Sequence, residues 1–549
     1  MDSTQAKVAI LRHAGQEIGG RRFTHLIRHA TSFVFNNMPQ TSPSPSPFGA
    51  RENRICAVAA CSTAAEMARL IRLGLKETRT IELRLDWLKS DAERRKLLGW
   101  LGKQSFRGAT FLATCRRKVA GGELRGDIQA ELFWLMEARR AGCIWCDVEV
   151  ETERELPDQS IREYAVPPRV MLSVHDFDRT PKLPQSVSCP ECGEGEVDAV
   201  KIAAQAKTIE DSVRLLHLAR RSRCFVAVPM GEIGLPGRIF ALREGSALAY
   251  APVGEATAPG QVSLRELKHL YRAHLLTPKS EVYGVIGDPI HHSLSPLMHN
   301  TGFVARKRDA VYLPFLVHDL RDFLYAIPEF GVRGFSITIP HKQTILKHLS
   351  DCEPLAAEIG AVNTVVVRRN GSLYGSNTDY VGVLRALKSK LKLRGSRVLI
   401  FGAGGSARAA AFALARGGSQ VFVCARRESE AKGLARAVGG GAIPRRALKS
   451  ENFDALLNTT PVGMHPHESA SPLSAKELRC NLVMDLIYRP LETRLLKLAR
   501  KKGIATVSGL EMFLAQGFAQ WEIWTNTHPP ESVMRRAVLA RLRADESPR

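Results

Sequence analysis

VLIFGAGGSARAAAFAL, residues 398–414, opens on four apolar residues, breaks at a run of glycines and resumes as an alanine-rich stretch. Strand, glycine turn and helix start, in that order, are the context in which a GxGxxG/A pattern carries weight, and Gly402, Gly404 and Ala407 occupy its three positions. The small residues let the backbone of Gly402, Ala403, Gly404, Gly405, Ser406 and Ala407 approach a pyrophosphate at a helix N-terminus, where unpaired N–H groups and the helix dipole favour an anion. About twenty residues on, the position that selects the ribose carries an acid in NAD sites and an arginine in NADP sites. Here the strand QVFVCA is followed by Arg426 and Arg427, which predicts NADP; Glu428 beside them keeps NAD as the lesser alternative.

The rest of the chain must be read around that unit. At 549 residues it is too long for one core and should hold two or three domains. Upstream, eight short β-rich runs (ICAVAAC, TIELRLDWL, ATFLATC, CIWCDVEV, RVMLSVHDF, AVKIAA, CFVAVPM, LAYAPV) alternate with helical stretches such as AAEMARLIRLGL, which predicts a closed parallel (β/α)8 barrel of the TIM type. A second βαβ series begins at VYGVIGDPI, after the joint Thr277-Pro278-Lys279-Ser280. Up to Gly49 only Asp2 and Glu17 are acidic, and Ser42 to Pro47 is a Ser-Pro repeat. That composition predicts a leader without structure, with Met38 as a second possible start. An Arg-containing, acid-poor leader also suits a transit peptide, so the expected cytoplasmic location has the plastid as its alternative.

Lys and Arg number 78 against 55 Asp and Glu, a formal charge of +23. The basic residues are spread along the chain and no zinc-finger or RNP-type pattern occurs, so anionic small molecules are the expected partners rather than nucleic acid. No apolar run approaches a membrane span, and a soluble protein is expected. Eleven cysteines without a secretory signal suit reduced thiols. The pairs Cys143/Cys146 and Cys189/Cys192 are too far apart for a zinc ribbon, and no metal is predicted.

In a barrel of this type, chemistry sits at the C-terminal ends of the strands. Glu82 and Arg84 lie two apart and so share a strand face. Lys201, between Val200 and Ile202, is an ammonium in an apolar strand, where desolvation should lower its pKa and free a lone pair to attack a ketone. His175 ends RVMLSV and is placed as a general base. The segments ELRLD, TCRRKVAGGE, SVHDFDRTP, VKIA, GRI and ATAPGQV resemble the class I 3-dehydroquinate dehydratase family from roughly Asn53 to His274. The resemblance implies that Lys201 forms an imine with the substrate ketone and that His175 moves the adjacent proton. It further implies that Arg84, Arg116 and Arg238, with Glu82, Thr257 and Gln261, surround the ring. One position departs: where many relatives have a glutamate that orients the histidine, this chain has Ala120, so either another acid supports His175 or the dehydratase is slower.

Past the joint, GDPIHHSLSPLMHN, GFSITIPHK, AVNTVV, GSNTDYVG, NTTPVGM, VMDLIYRP and GLEMFLAQG resemble shikimate dehydrogenases. The resemblance implies a pair of α/β domains, the second the Rossmann domain that binds NADP with Gly509 contributing. Lys342 and Asp379 become the proton-transfer pair, Ser293 and Ser295 the carboxylate contacts, Thr338, Asn363 and Gln516 the hydroxyl contacts, and Tyr488 a neighbour of the cleft. A lysine held beside a carboxylate suits ketone reduction, which needs a proton on oxygen as hydride reaches carbon. Ser336 where relatives often have Asn, and Tyr380 where they have Gly, leave shikimate against quinate open.

The expected layout is a leader over 1–52, a dehydratase barrel over 53–276, a substrate-binding domain over 281–388 rejoined by helices in 515–545, and a Rossmann domain over 389–514. The expected activity is dehydration of 3-dehydroquinate to 3-dehydroshikimate, then its NADPH-dependent reduction to shikimate. A quinate/shikimate dehydrogenase with an impaired dehydratase is the alternative. Oligomeric state is left open.

Overall fold

The computed structural model describes residues 46–156, 161–164, 166–182, 197–254 and 260–546. They form two compact units, the first running to Ser280 and including Arg321–Ala326, the second holding Glu281–Leu320 and everything from Ile327 onward.

In the first unit each of the eight expected runs contains a strand: β1 Ile55–Ala59, β2 Thr80–Arg84, β3 Thr110–Thr114, β4 Trp145–Glu149, β5 Arg169–Asp176, β6 Ala199–Gln205, β7 Phe225–Met230 and β8 Ala249–Pro252. All pairings are parallel, in the order β7-β6-β5-β4-β3-β2-β1-β8, and the seam between β7 and β8 carries a bond from Ala247 N to Phe225 O of 2.7 Å. The barrel is therefore nearly closed. Thr63, Ser90, Asp127 and Thr208 start the helices after β1, β2, β3 and β6, each accepting the N–H three residues on. That bond satisfies an amide left open by the first helical turn.

The end of the expected leader needs correction, for Phe48 is buried and stacks on Trp145 with ring centroids 4.2 Å apart. It joins Leu112, Met171 and Val226 in the barrel core. One aromatic anchor with an apolar hole to fill outweighs the Ser-Pro composition around it. Residues 1–45 lie outside the described residues.

The second unit has two sheets. The first comprises β9 Glu281–Gly287, β10 Ala310–Leu316, β11 Val332–Ile337, β12 Asp351–Cys352, β13 Thr364–Val367 and β14 Leu373–Ser376, ordered β10-β9-β11-β13-β14-β12, with β13 antiparallel to both neighbours. The other is wholly parallel: β15 Arg397–Phe401, β16 Gln420–Cys424, β17 Gly441–Ala442, β18 Phe453–Asn458, β19 Cys480–Asp485 and β20 Ala505–Val507, ordered β17-β16-β15-β18-β19-β20. That is the doubly wound order with its switch point between β15 and β18, where a dinucleotide crevice opens. The C-terminal helices Gly509–Thr525 and Glu531–Glu546 pack Phe513, Trp521, Met534 and Val538 with Tyr283 and Tyr312 of the first sheet and Phe303 of the helix Ser295–Ala305.

Among the described residues no helix is long and apolar enough to cross a membrane, and no three His, Cys, Asp or Glu side chains converge as for a metal ion. Cys143 and Cys146 are buried free thiols, two of eight described free cysteines. Cys224 is disulfide-bonded, against the expectation of reduced thiols throughout. Cys189 and Cys192 lie outside the described residues.

Candidate active sites

Alternate residues of a strand share a face, and β4 turns two acids, Asp147 and Glu149, into the barrel. Both are buried, at 3% relative exposure each. Asp147 accepts from Lys201 Nζ on β6 and from Ser173 Oγ on β5. Glu149 Oε2 lies 2.9 Å from His175 Nδ1 on β5, and its Oε1 lies 2.7 Å from Arg116 Nε, a close ion pair not aligned as a hydrogen bond. Lys201 is thus buried but not unpaired: it sits between Asp147 and the Tyr250 ring, whose centroid is 5.1 Å from Nζ. Burial alone pushes Asp147 up, yet Lys201 and Arg116 outweigh it and hold the carboxyl well below the usual range. Glu149 goes the other way, raised to about 7 by burial with Asp147 adding repulsion against the pull of Arg116. Burial, then Arg116 and Lys201, push His175 well below its ordinary value, so the ring is held neutral.

These groups open on a cavity of about 210 Å³ that Glu82, Arg84, Arg116, His175, Lys201 and Arg238 line, with Gln261 also on its wall. Seven predicted residues therefore meet in one space. Glu82 accepts from Thr114 Oγ1 at 2.7 Å, and Arg84 forks onto Asp86 at 3.0 and 2.7 Å, not onto Glu82. Arg238 differs from both other arginines: it donates to Pro229 O at 2.6 Å, pairs with no described acid, and is lowered by burial to about 10. Thr257 lies outside the described residues. Ala120 ends the short 3-10 turn Lys118–Ala120 and offers no acceptor to His175. Asp147, Glu149 and Tyr250 were missed by reading the sequence; the signal was present in CIWCDVEV, where two acids stand two apart in an apolar strand.

In the second unit Lys342 Nζ donates to Asp379 Oδ2 at 2.5 Å. Asp379 is the second residue of the helix Thr378–Leu387, with Asn377 accepting its backbone N–H at 3.0 Å, and its other oxygen accepts Asn363 Nδ2 at 2.8 Å. Asn363 stands beside the end of β11, where Ile337 N donates to its carbonyl at 2.8 Å, and this brings Thr338 alongside. Gly382, one turn on from Asp379, lets the C-terminal helix approach: a Cβ there would lie 3.1 Å from Gln516 Cβ. Tyr488 stacks on Phe513 of the same helix at 4.6 Å.

Ser293 Oγ accepts Ser295 N at 3.3 Å, and the Ser295 side chain is hydrogen-bonded to Tyr312. Tyr312 in turn meets Ser336 Oγ at 2.6 Å, and Ser336 donates to Gln520 Oε1 at 2.9 Å. Tyr380 bonds Glu353 at 2.6 Å. Both departures from the related motifs are thus held within the scaffold.

The dinucleotide turn can be tested against its expected ligand. The helix Gly405–Arg416 starts at Gly404 with no side-chain cap, so its first amides are open to an anion. Gly402 has φ +123 and a Cβ there would strike Thr459 Oγ1 at 2.4 Å, whereas nothing lies within 4 Å of one at Gly404. A Cβ at Gly405 would be 3.8 Å from Lys342 Cδ, which places the turn beside the Lys342–Asp379 pair. Arg426 and Arg427 are exposed where β16 ends, Arg427 paired to Glu430 at 2.7 Å. Gly509 packs under Leu486 and Ile487, whose carbonyls would lie 2.4 Å from a Cβ. These residues fit an adenine dinucleotide bearing an extra phosphate.

A barrel that buries an amine among acids and a Rossmann unit with a lysine–aspartate pair define an enzyme with two centres, a lyase and an oxidoreductase. Residues 55–277 match type I 3-dehydroquinase, 285–365 the shikimate dehydrogenase substrate-binding domain and 509–539 the shikimate 5'-dehydrogenase C-terminal domain. A chloroplastic bifunctional 3-dehydroquinate dehydratase/shikimate dehydrogenase of Arabidopsis thaliana is 34% identical over 476 residues, 82% of this chain and 78% of that one. The chain belongs to this bifunctional dehydratase/dehydrogenase family. An NADP+ shikimate dehydrogenase of Methanosarcina mazei is 41% identical over 48% of this chain and 99% of its own. The Thermus thermophilus shikimate 5-dehydrogenase, solved with NADP(H) and shikimate, is 37% identical, covers 48% of this chain and 99% of its own, and has a TM-score of 0.45.

Proposed function

We propose that the barrel dehydrates 3-dehydroquinate through an imine on Lys201, and that the second unit reduces the resulting 3-dehydroshikimate to shikimate with NADPH. The observation that carries this reading is the buried Lys201–Asp147 pair beside a neutral His175, on one chain with the Lys342–Asp379 pair. Lys201 adds to the ketone carbon and water leaves, forming a C=N bond whose protonated form attracts electrons from the neighbouring C–H bond. Asp147 remains beside the nitrogen throughout, so the positive imine inherits the ion pair that the ammonium had. His175 Nε2 takes the proton on the carbon next to the imine and then protonates the departing hydroxyl. Arg238, the arginine paired with no acid among the described residues, is suited to the substrate carboxylate.

In the second unit the Gly402–Ala407 turn holds the pyrophosphate and Arg426 with Arg427 the 2′-phosphate; bound NADPH supplies the hydride. Lys342 gives a proton to the substrate oxygen, and Asp379 orients the ammonium while Asn363 fixes the carboxylate's other oxygen. Ser293 and Ser295 take the carboxylate, and Thr338, Gln516 and Tyr488 close around the ring hydroxyls. Ser336 and Tyr380 are bonded to Gln520 and Glu353, and shikimate rather than quinate is the proposed product.

The test is to feed 3-dehydroquinate with NADPH and follow cofactor oxidation: steady turnover is expected, and 3-dehydroshikimate should bypass the first centre. Turnover of quinate with NADP+ faster than of shikimate would reject the substrate assignment. Replacing Arg426 and Arg427 together by alanine is expected to lower the NADPH-over-NADH ratio of kcat/KM by about 10- to 100-fold, the loss of charge-assisted hydrogen bonds to one phosphate.

A further inference from the structure

The strand β4 divides two tasks between alternate residues. Asp147 goes to the amine of Lys201, and Glu149, on the same face, goes to Nδ1 of His175 at 2.9 Å. Among the described residues Glu149 is the acid in hydrogen-bond contact with that ring, while Ala120 carries only a methyl group. We propose that Glu149 is the positioning residue for the His175 imidazole in this chain, filling the part that the family resemblance gives to a glutamate at position 120. This rests on the imine reading above and names the group that makes its base competent.

The proton bookkeeping follows from the partners. Arg116 Nε is a donor only and lies 2.7 Å from Glu149 Oε1, so that oxygen is engaged and Oε2 is left for the histidine. When Glu149 is ionised it only accepts, so Nδ1 carries the ring proton and Nε2 keeps its lone pair for the substrate C–H. One carboxylate thereby fixes both the ring's orientation and its tautomer, and it ties the ring to Arg116 on the cavity wall.

Glu149→Gln is the discriminating change because it keeps the shape and alters the protons. The Arg116 guanidinium attracts the amide oxygen and repels the NH2 group, which therefore turns to His175. Nδ1 must then accept, the ring proton moves to Nε2, and the base loses its lone pair. Imine formation at Lys201, held by Asp147, is left intact.

The experiment compares full-length wild type and Glu149→Gln in three measurements. These are borohydride trapping of 3-dehydroquinate on Lys201 read by mass, dehydratase kcat and KM, and shikimate oxidation as a control on the intact chain. Trapping in both proteins with kcat down by about 100-fold is expected, the scale of losing the partner that orients a functional imidazole. A merely structural role would instead diminish trapping and turnover together. An unchanged kcat, or loss of trapping in the variant, would overturn the assignment. Absence of trapping in wild type would refute the imine reading itself, and with it the role given to Glu149.

Discussion

Lys201→Ala abolishes borohydride trapping and lowers dehydratase kcat by on the order of 10^4-fold or more, the scale at which nucleophile removals cost enzymes their covalent route. Shikimate oxidation by the same preparation is expected to be unchanged, so coupled NADPH oxidation disappears with 3-dehydroquinate and persists with 3-dehydroshikimate. Removing the amine also leaves Asp147 buried without its main cation, and breaking a buried pair from one side costs about 3–5 kcal/mol. A loss of stability could therefore imitate a loss of chemistry. Lys201→Arg separates the two: it retains a cation beside Asp147, but a guanidinium does not condense with a ketone at neutral pH. Both variants should be inactive in dehydration, and the arginine variant should melt closer to wild type. Residual trapping in either would mean that another amine carries the imine.

Asp379→Asn is expected to lower the reductase kcat by about 10^2- to 10^4-fold, the range attributed to a positioned proton donor. The exchange preserves size, and the backbone N–H of residue 379 keeps its bond to Asn377 Oδ1. What is lost is the negative charge that holds the Lys342 ammonium at 2.5 Å. Asn363, whose Nδ2 donates to Asp379 Oδ1 at 2.8 Å, would instead need the new amide to present its oxygen, turning NH2 toward the lysine. Two donors would then face each other. Lys342→Ala should give a loss of the same order, and the double variant little more than either single one, because the pair acts as a unit. Stopped-flow reduction of 3-dehydroshikimate checks both, with dehydration as the internal control. Additive losses would mean that the two side chains act independently.

Much of this molecule was legible because its local patterns agree with its global ones. Eight apolar runs separated by helical stretches became β1 to β8, and the strand–glycine–helix order at 398–414 became β15, the turn and its helix. Lys201 and His175 stood out because titratable groups at the ends of apolar strands are expensive unless something answers them, whereas Lys342 and Asp379 were picked out only by resemblance to a known family. The disordered-leader reading failed at Phe48, since a composition average cannot see one ring finding a hole 97 residues away beside Trp145.

From its sequence alone this chain determined the two architectures and the dinucleotide turn, because periodicity and glycine placement are written in local residue order, while resemblance to a known family singled out Lys201 and His175 as the proposed amine and base. Who answers those buried charges was decided only in three dimensions. Glu149 reaches His175 on the adjacent strand, 26 residues on, and Asp147 reaches Lys201 two strands over, 54 residues on. Asp379 likewise meets Lys342 only because a helix start and the turn that follows β11 converge. Electrostatic partnership falls off with distance in space, not along the chain, so closing the sheet into a barrel turned an apparently lone lysine into a paired one.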